Sequence, residues 1–128
     1  MDDGSVQMRF PTSPETVVPH LNVREDTGPF VRTLLDLPVN STLMAASEWL
    51  TWPDWIATWG KVTGTQTSYQ QITVEDMDEY LPGGLGKEIG EMYEFSEEFG
   101  YNAEQKDTLK TWDLDKVCTV QRGNVLVF

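Results

Sequence analysis

The stretch TWPDWIATWGKVTGTQTSYQQI, residues 51–72, decides the fold class. Thr51-Trp52-Pro53-Asp54 opens it like a capping box, with Asp in place of the usual Glu. Pro53 suits the first turn, where its missing N–H has no helical partner to lose. Trp52, Trp55, Ile56 and Trp59 then recur at i, i+3, i+4 and i+7, one side of a helix, with Asp54 and Lys61 opposite. Thr63-Gly64 supplies the stop, and Thr67 to Ile72 has strand character. A capped helix running straight into a strand is the signature of mixed α/β structure.

Working outward, the same alternation continues. Upstream, Val6, Met8 and Phe10 alternate with Ser5, Gln7 and Arg9, a short half-buried strand. Residues 11–16 read as a loop, and Val17, Val18 and 21–23 as an approach to a helix. Asp26 is the N-cap candidate there, with Pro29 just inside the first turn and Pro38 as the stop. Leu43 to Ser47 reads as a short buried strand. Downstream, Thr73-Val74-Glu75-Asp76 repeats the capping pattern for a short helix carrying Met77, Tyr80 and Leu81, broken by Pro82-Gly83-Gly84. A longer helix is predicted from Leu85 to Phe99, closed by Gly100 as a left-handed cap with Tyr101 as its packing partner. Residues 102–110 read as polar loop. Beyond Thr111 two readings stand: a helix over 112–120, or a hairpin of 117–120 with 125–128. The expected architecture is α/β with α+β character, a small sheet of about three short strands and several packed helices, in a single domain over 1–128.

Composition bounds the function. The 128 residues carry nine basic and twenty-one acidic side chains, a net charge of −12. Such a surface repels phosphate backbones and anionic headgroups, so neither nucleic acid nor membrane is an expected partner. No apolar run approaches the roughly twenty residues of a membrane span. The acidic start, Met1-Asp2-Asp3, does not read as a signal peptide, and the single cysteine, Cys118, fits a reducing compartment; a cytoplasmic location is expected.

The catalytic inventory is short. His20 is the one histidine, with Glu25 and Asp26 near it in sequence as orienting carboxylates for a general base; the plain alternative is a surface loop histidine. Cys118 has no neighbouring His or basic cluster to form a thiolate. One His and one Cys cannot make a zinc site, and no EF-hand spacing is present, so no metal is expected. Gly83-Gly84-Leu85-Gly86 lacks a preceding strand and the dinucleotide fingerprint, and reads as a break between helices. Trp49, Trp52, Trp55 and Trp59 leave three readings open: plain core, the lining of a cavity for a bulky apolar ligand, or a protein-facing surface.

The segment Pro19-His20-Leu21-Asn22-Val23-Arg24-Glu25-Asp26-Thr27-Gly28-Pro29-Phe30-Val31 is similar to a stretch of the NmrA-like proteins, relatives of the isoflavone reductases and the extended short-chain dehydrogenases. The likeness continues through Glu48-Trp49-Leu50-Thr51, Thr63-Gly64 and the strand after it, Glu98-Phe99-Gly100-Tyr101, and Thr111-Trp112, over most of residues 4–115. It implies the carboxy-terminal, substrate-binding half of that family, without the nucleotide-binding half, so no cofactor is expected. Residues 122–128 depart from it as an apolar tail. A stand-alone lobe of that kind binding a bulky apolar metabolite is expected, with His20, Asp26 and Glu25 as polar groups and Trp49, Trp52, Trp55, Trp59 and Tyr93 as lining. Cofactor-free isomerisation, cyclisation or dehydration in a biosynthetic pathway is one expectation; a non-catalytic interaction or regulatory role is the other. A homodimer is expected, because a lobe without its partner half exposes apolar surface.

Overall fold

The computed structural model describes residues 4–103 and 105–114. Cys118, the helix-or-hairpin alternative over 112–120 and 125–128 beyond Leu114, and the tail 122–128 lie outside the described residues. The order is β1 (Val6–Phe10), β2 (Val17–His20), α1 (Val23–Asp36), β3 (Thr42–Leu43), β4 (Glu48–Thr51), α2 (Trp52–Thr63), β5 (Thr67–Gln71), α3 (Val74–Tyr80), α4 (Leu85–Phe99) and β6 (Thr108–Leu109), then a 3₁₀ turn at Thr111–Asp113. The chain is mixed α/β, as the alternation predicts. Its strands pair two by two: β1 with β5, β2 with β4, and β3 with β6. Two compact units result, one from residues 4–18 and 50–103, the other from Pro19–Trp49 and 105–114.

In the first unit, β1 and β5 run parallel, with Val6 opposite Thr67 and Phe10 opposite Gln71. The ladder extends one step further through the Ile72 N–H, which donates to the Phe10 carbonyl at 3.0 Å. Helix α2 begins as its sequence predicts: Thr51 caps the Asp54 N–H, Pro53 sits in the first turn, and Gly64 closes the helix with φ of 69°. Thr73 and Asp76 form a full capping box at α3. Ile56, Ile72, Val74 and Met77 are the buried apolar residues that join these elements. Helices α3 and α4 touch through glycine: Gly86 lies against Met77 and Asp78, and Gly90 against Val74.

Several expectations are corrected. Helix α1 starts three residues before the predicted cap: Asn22 is the N-cap, accepting from the Arg24 N–H, and Asp26 reaches back to the Asn22 N–H at 2.9 Å. Pro29 therefore sits inside the helix rather than in its first turn. The approach segment contains β2, because residues 17–20 find a strand partner in β4. Leu43 to Ser47 is not one strand; within it only Leu43 belongs to a strand, as the end of β3, and pairing resumes at Glu48 in β4. Residues 102–110 contain β6, whose Thr108 and Leu109 pair in parallel with Thr42 and Leu43. Gly100 has the positive φ expected, 76°, but a ψ of 155° takes it out of the left-handed helical region. Tyr101 is 64% exposed, too open to be the packing partner of a C-cap.

Candidate functional site: an apolar cleft beside Arg9

β1 positions the site. Its side chains alternate, so Gln7 and Arg9 share one pleat face while Val6, Met8 and Phe10 take the other. Gln7 reaches its cross-strand partner Ser68 at 3.4 Å. Arg9 meets α3: its Nη1 donates to the Tyr80 hydroxyl, and its guanidinium carbon lies 4.7 Å from the Tyr80 ring centroid. These residues, with Phe10, Ile72, Met77 and Leu81, line an open cleft of about 320 Å³. Four of the seven lining side chains are apolar, and Arg9 is the one charged group. That size and composition match ordinary small-molecule sites at the lower end.

The electrostatics of the cleft centre on Arg9. Its Nε is buried and makes no hydrogen bond. Among the described residues no carboxylate stands within ion-pair distance of it. Arg9 acts electrostatically on Asp76, whose carboxyl is held below its usual range by the Thr73 N–H first, then by the Thr73 hydroxyl, with Arg9 a lesser cause. Asp76 is thus committed to capping α3. Phe10 connects the cleft to an aromatic cluster: its ring centroid is 4.9 Å from Trp52 and 4.8 Å from Tyr93. Trp52 also meets Trp55 at 6.3 Å and Tyr93 at 6.0 Å, both edge-on. Burial raises the Tyr93 hydroxyl above its ordinary range.

The sequence-predicted lining is therefore partly assembled. Trp52 and Tyr93 come together on Phe10, and Trp55 joins them through Trp52. Trp55 and Trp59 are 36% and 37% exposed, while Ile56 turns fully into the core. Trp49 belongs to the second unit, where its ring is 5.4 Å from Trp112 and Lys110 lies over both rings, at 5.6 and 5.3 Å. His20, Glu25 and Asp26 also belong to the second unit. Ser47 links two of them: its N–H donates to the His20 carbonyl at 2.9 Å, and its hydroxyl donates to Asp26 Oδ2. The same carboxylate oxygen caps α1, and Glu25 is exposed. Arg9, Gln7 and Tyr80 were not among the predicted site residues. The available signal was an arginine at an interior strand position, one of only nine basic residues in the chain.

Among the described residues, no group of three His, Cys, Asp or Glu side chains is placed to hold a metal, and no helix is long and apolar enough to cross a membrane. Comparison with the curated proteins finds no match, and comparison with the solved structures finds none. The family comparison does: the model of the NmrA-like family matches residues 1–125. A match over nearly the whole chain makes this protein a member of the NmrA-like family.

Proposed function

We propose that this chain is a small-molecule-binding NmrA-like lobe, corresponding to the family's carboxy-terminal portion, and that its ligand is apolar over most of its surface. The carrying observation is the cleft of about 320 Å³ between β1 and α3, lined by Phe10, Ile72, Met77 and Leu81 with few polar groups. An apolar body gains by leaving water there, roughly 25 cal/mol per Å² removed. Binding, rather than turnover, is what the cleft supports. N-phenylnaphthylamine, a neutral apolar fluorophore, tests it. Its emission should rise saturably with the wild type and not with Leu81→Trp, which places an indole in the cleft. Equal saturation with both proteins would remove the cleft from the account.

A second reading, action through a protein partner, has its own support. Val23, Val31, Leu34 and Leu35 share one face of α1, and all are exposed, Leu35 by 82%. Four apolar side chains on one solvent-facing helix stripe suit a self-complementary contact with a second copy of the chain. Light scattering on the wild type and on Leu35→Glu reads it: a dimer that the substitution dissociates supports this surface, and a wild-type monomer at tens of micromolar removes it.

A further inference from the structure

The chemistry of Arg9 adds a requirement to the ligand, resting on the cleft being the binding site. A guanidinium buried at Nε without a hydrogen bond carries the desolvation cost of that donor unmet. In a chain with twenty-one acidic residues, none of the described carboxylates takes it as an ion-pair partner. Tyr80 occupies the Nη1 side only, as hydrogen-bond acceptor and as the ring beneath the cation. Nε itself is closed off from solvent, so what a ligand in the cleft meets is the outer, terminal part of the guanidinium, whose charged N–H donors suit the oxygens of a carboxylate. The rest of the cleft is apolar, apart from the Gln7 amide and the Tyr80 hydroxyl.

We propose that the ligand is an apolar molecule bearing one carboxylate, with the acid group on Arg9 and the apolar body against Ile72, Met77 and Leu81. Arg9 then does two things. It selects anionic over neutral ligands of the same shape, and it fixes which end of the ligand faces β1. The chain's net charge of −12 opposes the approach of an anion at long range, so the selection is local and strengthens as salt screens that repulsion over distances beyond roughly 8 Å.

Calorimetric titration with a matched pair, naphthoate and naphthamide, tests the proposal. The two differ little in shape and only the first is charged at pH 7. Wild type should bind naphthoate at least about tenfold more tightly than naphthamide, the range of one charge-assisted contact over a neutral one. Arg9→Gln should abolish that preference, with a far-ultraviolet circular dichroism spectrum matching wild type to show that the variant is folded. Arg9→Lys, keeping the charge without the fork, should retain part of it. Equal wild-type affinities would overturn the carboxylate assignment and leave the apolar cleft standing. Preference undiminished in Arg9→Gln would overturn the role of Arg9. Failure of both ligands to bind wild type would overturn this assignment together with the cleft.

Discussion

Replacing Gly86 with alanine should separate α3 from α4. A methyl group there would fall on the Met77 carbonyl oxygen, 2.5 Å from the Asp78 Cα and 2.7 Å from its nitrogen. All three are backbone atoms of α3, so no side-chain rotation relieves them. Restoring ordinary contact means moving one helix by roughly 1 Å, which also loosens the packing of Met77 and Val74. Overpacking of this kind costs about 1–3 kcal/mol, and the rigid backbone places this site at the upper end. The alanine recovers about 1 kcal/mol through its better helix propensity. The net loss is therefore about 1–2 kcal/mol, read as a lower Tm by about 4 °C per kcal/mol in a chain of this size. Gly90→Ala is the internal comparison. Its methyl would meet Val74 Cγ1 at 2.9 Å and Cγ2 at 3.2 Å, both on a side chain that can yield. The same propensity gain then offsets most of the strain, within about 1 kcal/mol of wild type. Thermal unfolding followed by far-ultraviolet circular dichroism, with urea melts, ranks the three proteins. Gly86→Ala as stable as wild type, or less affected than Gly90→Ala, would refute the close helix contact.

Two titratable groups give pH predictions of opposite sign. The Tyr69 hydroxyl, donating to the Thr12 carbonyl at 2.6 Å, is pushed up to about 12 by burial and then by the nearby Glu97 charge. Its folded value lies above the unfolded value of about 10, so its contribution is complete below pH 10 and lost as pH rises towards 12. Tyr69→Phe should flatten the alkaline limb of a Tm-versus-pH curve; an unchanged limb counts against the shift. Asp76 lies below its usual range because it accepts from Thr73, so its contribution is present at neutral pH and lost as pH falls through the folded value. Asp76→Asn should flatten the acid limb, and an acid limb identical to wild type would count against the capping box.

Local signals carried much of the fold. Helices α2, α3 and α4 were legible from signals local to each: the Thr51 and Thr73 caps of α2 and α3, the apolar period of α2 and α4, and the glycines that bound them. Strands β2, β3 and β6 were not, since two to four residues gain their identity only from a partner distant in sequence. The start of α1 was misplaced because Pro29 was given the first-turn role that proline favours. The Asn22 cap, with its side chain accepting from the Arg24 N–H and Asp26 accepting from the Asn22 N–H, overrides that preference and carries the helix through the proline. The aromatic half of the site was visible in the Trp spacing, but Phe10, which joins Trp52 to the cleft, was recognised only as a strand residue. Arg9 was assigned to the solvent face of an alternating strand. Nothing in the period of β1 says that α3, more than sixty residues later, packs over that face.

Amide chemical-shift mapping during a naphthoate titration reads out the proposed binding between β1 and α3 of the first unit. Saturable shifts are expected on Gln7, Arg9 and Phe10 in β1 and on Met77, Tyr80 and Leu81 at the end of α3, with Arg9→Gln removing them at the same ligand concentration. Shifts centred instead on His20, Asp26, Ser47 and Trp49 would contradict it and move the binding site to the second unit.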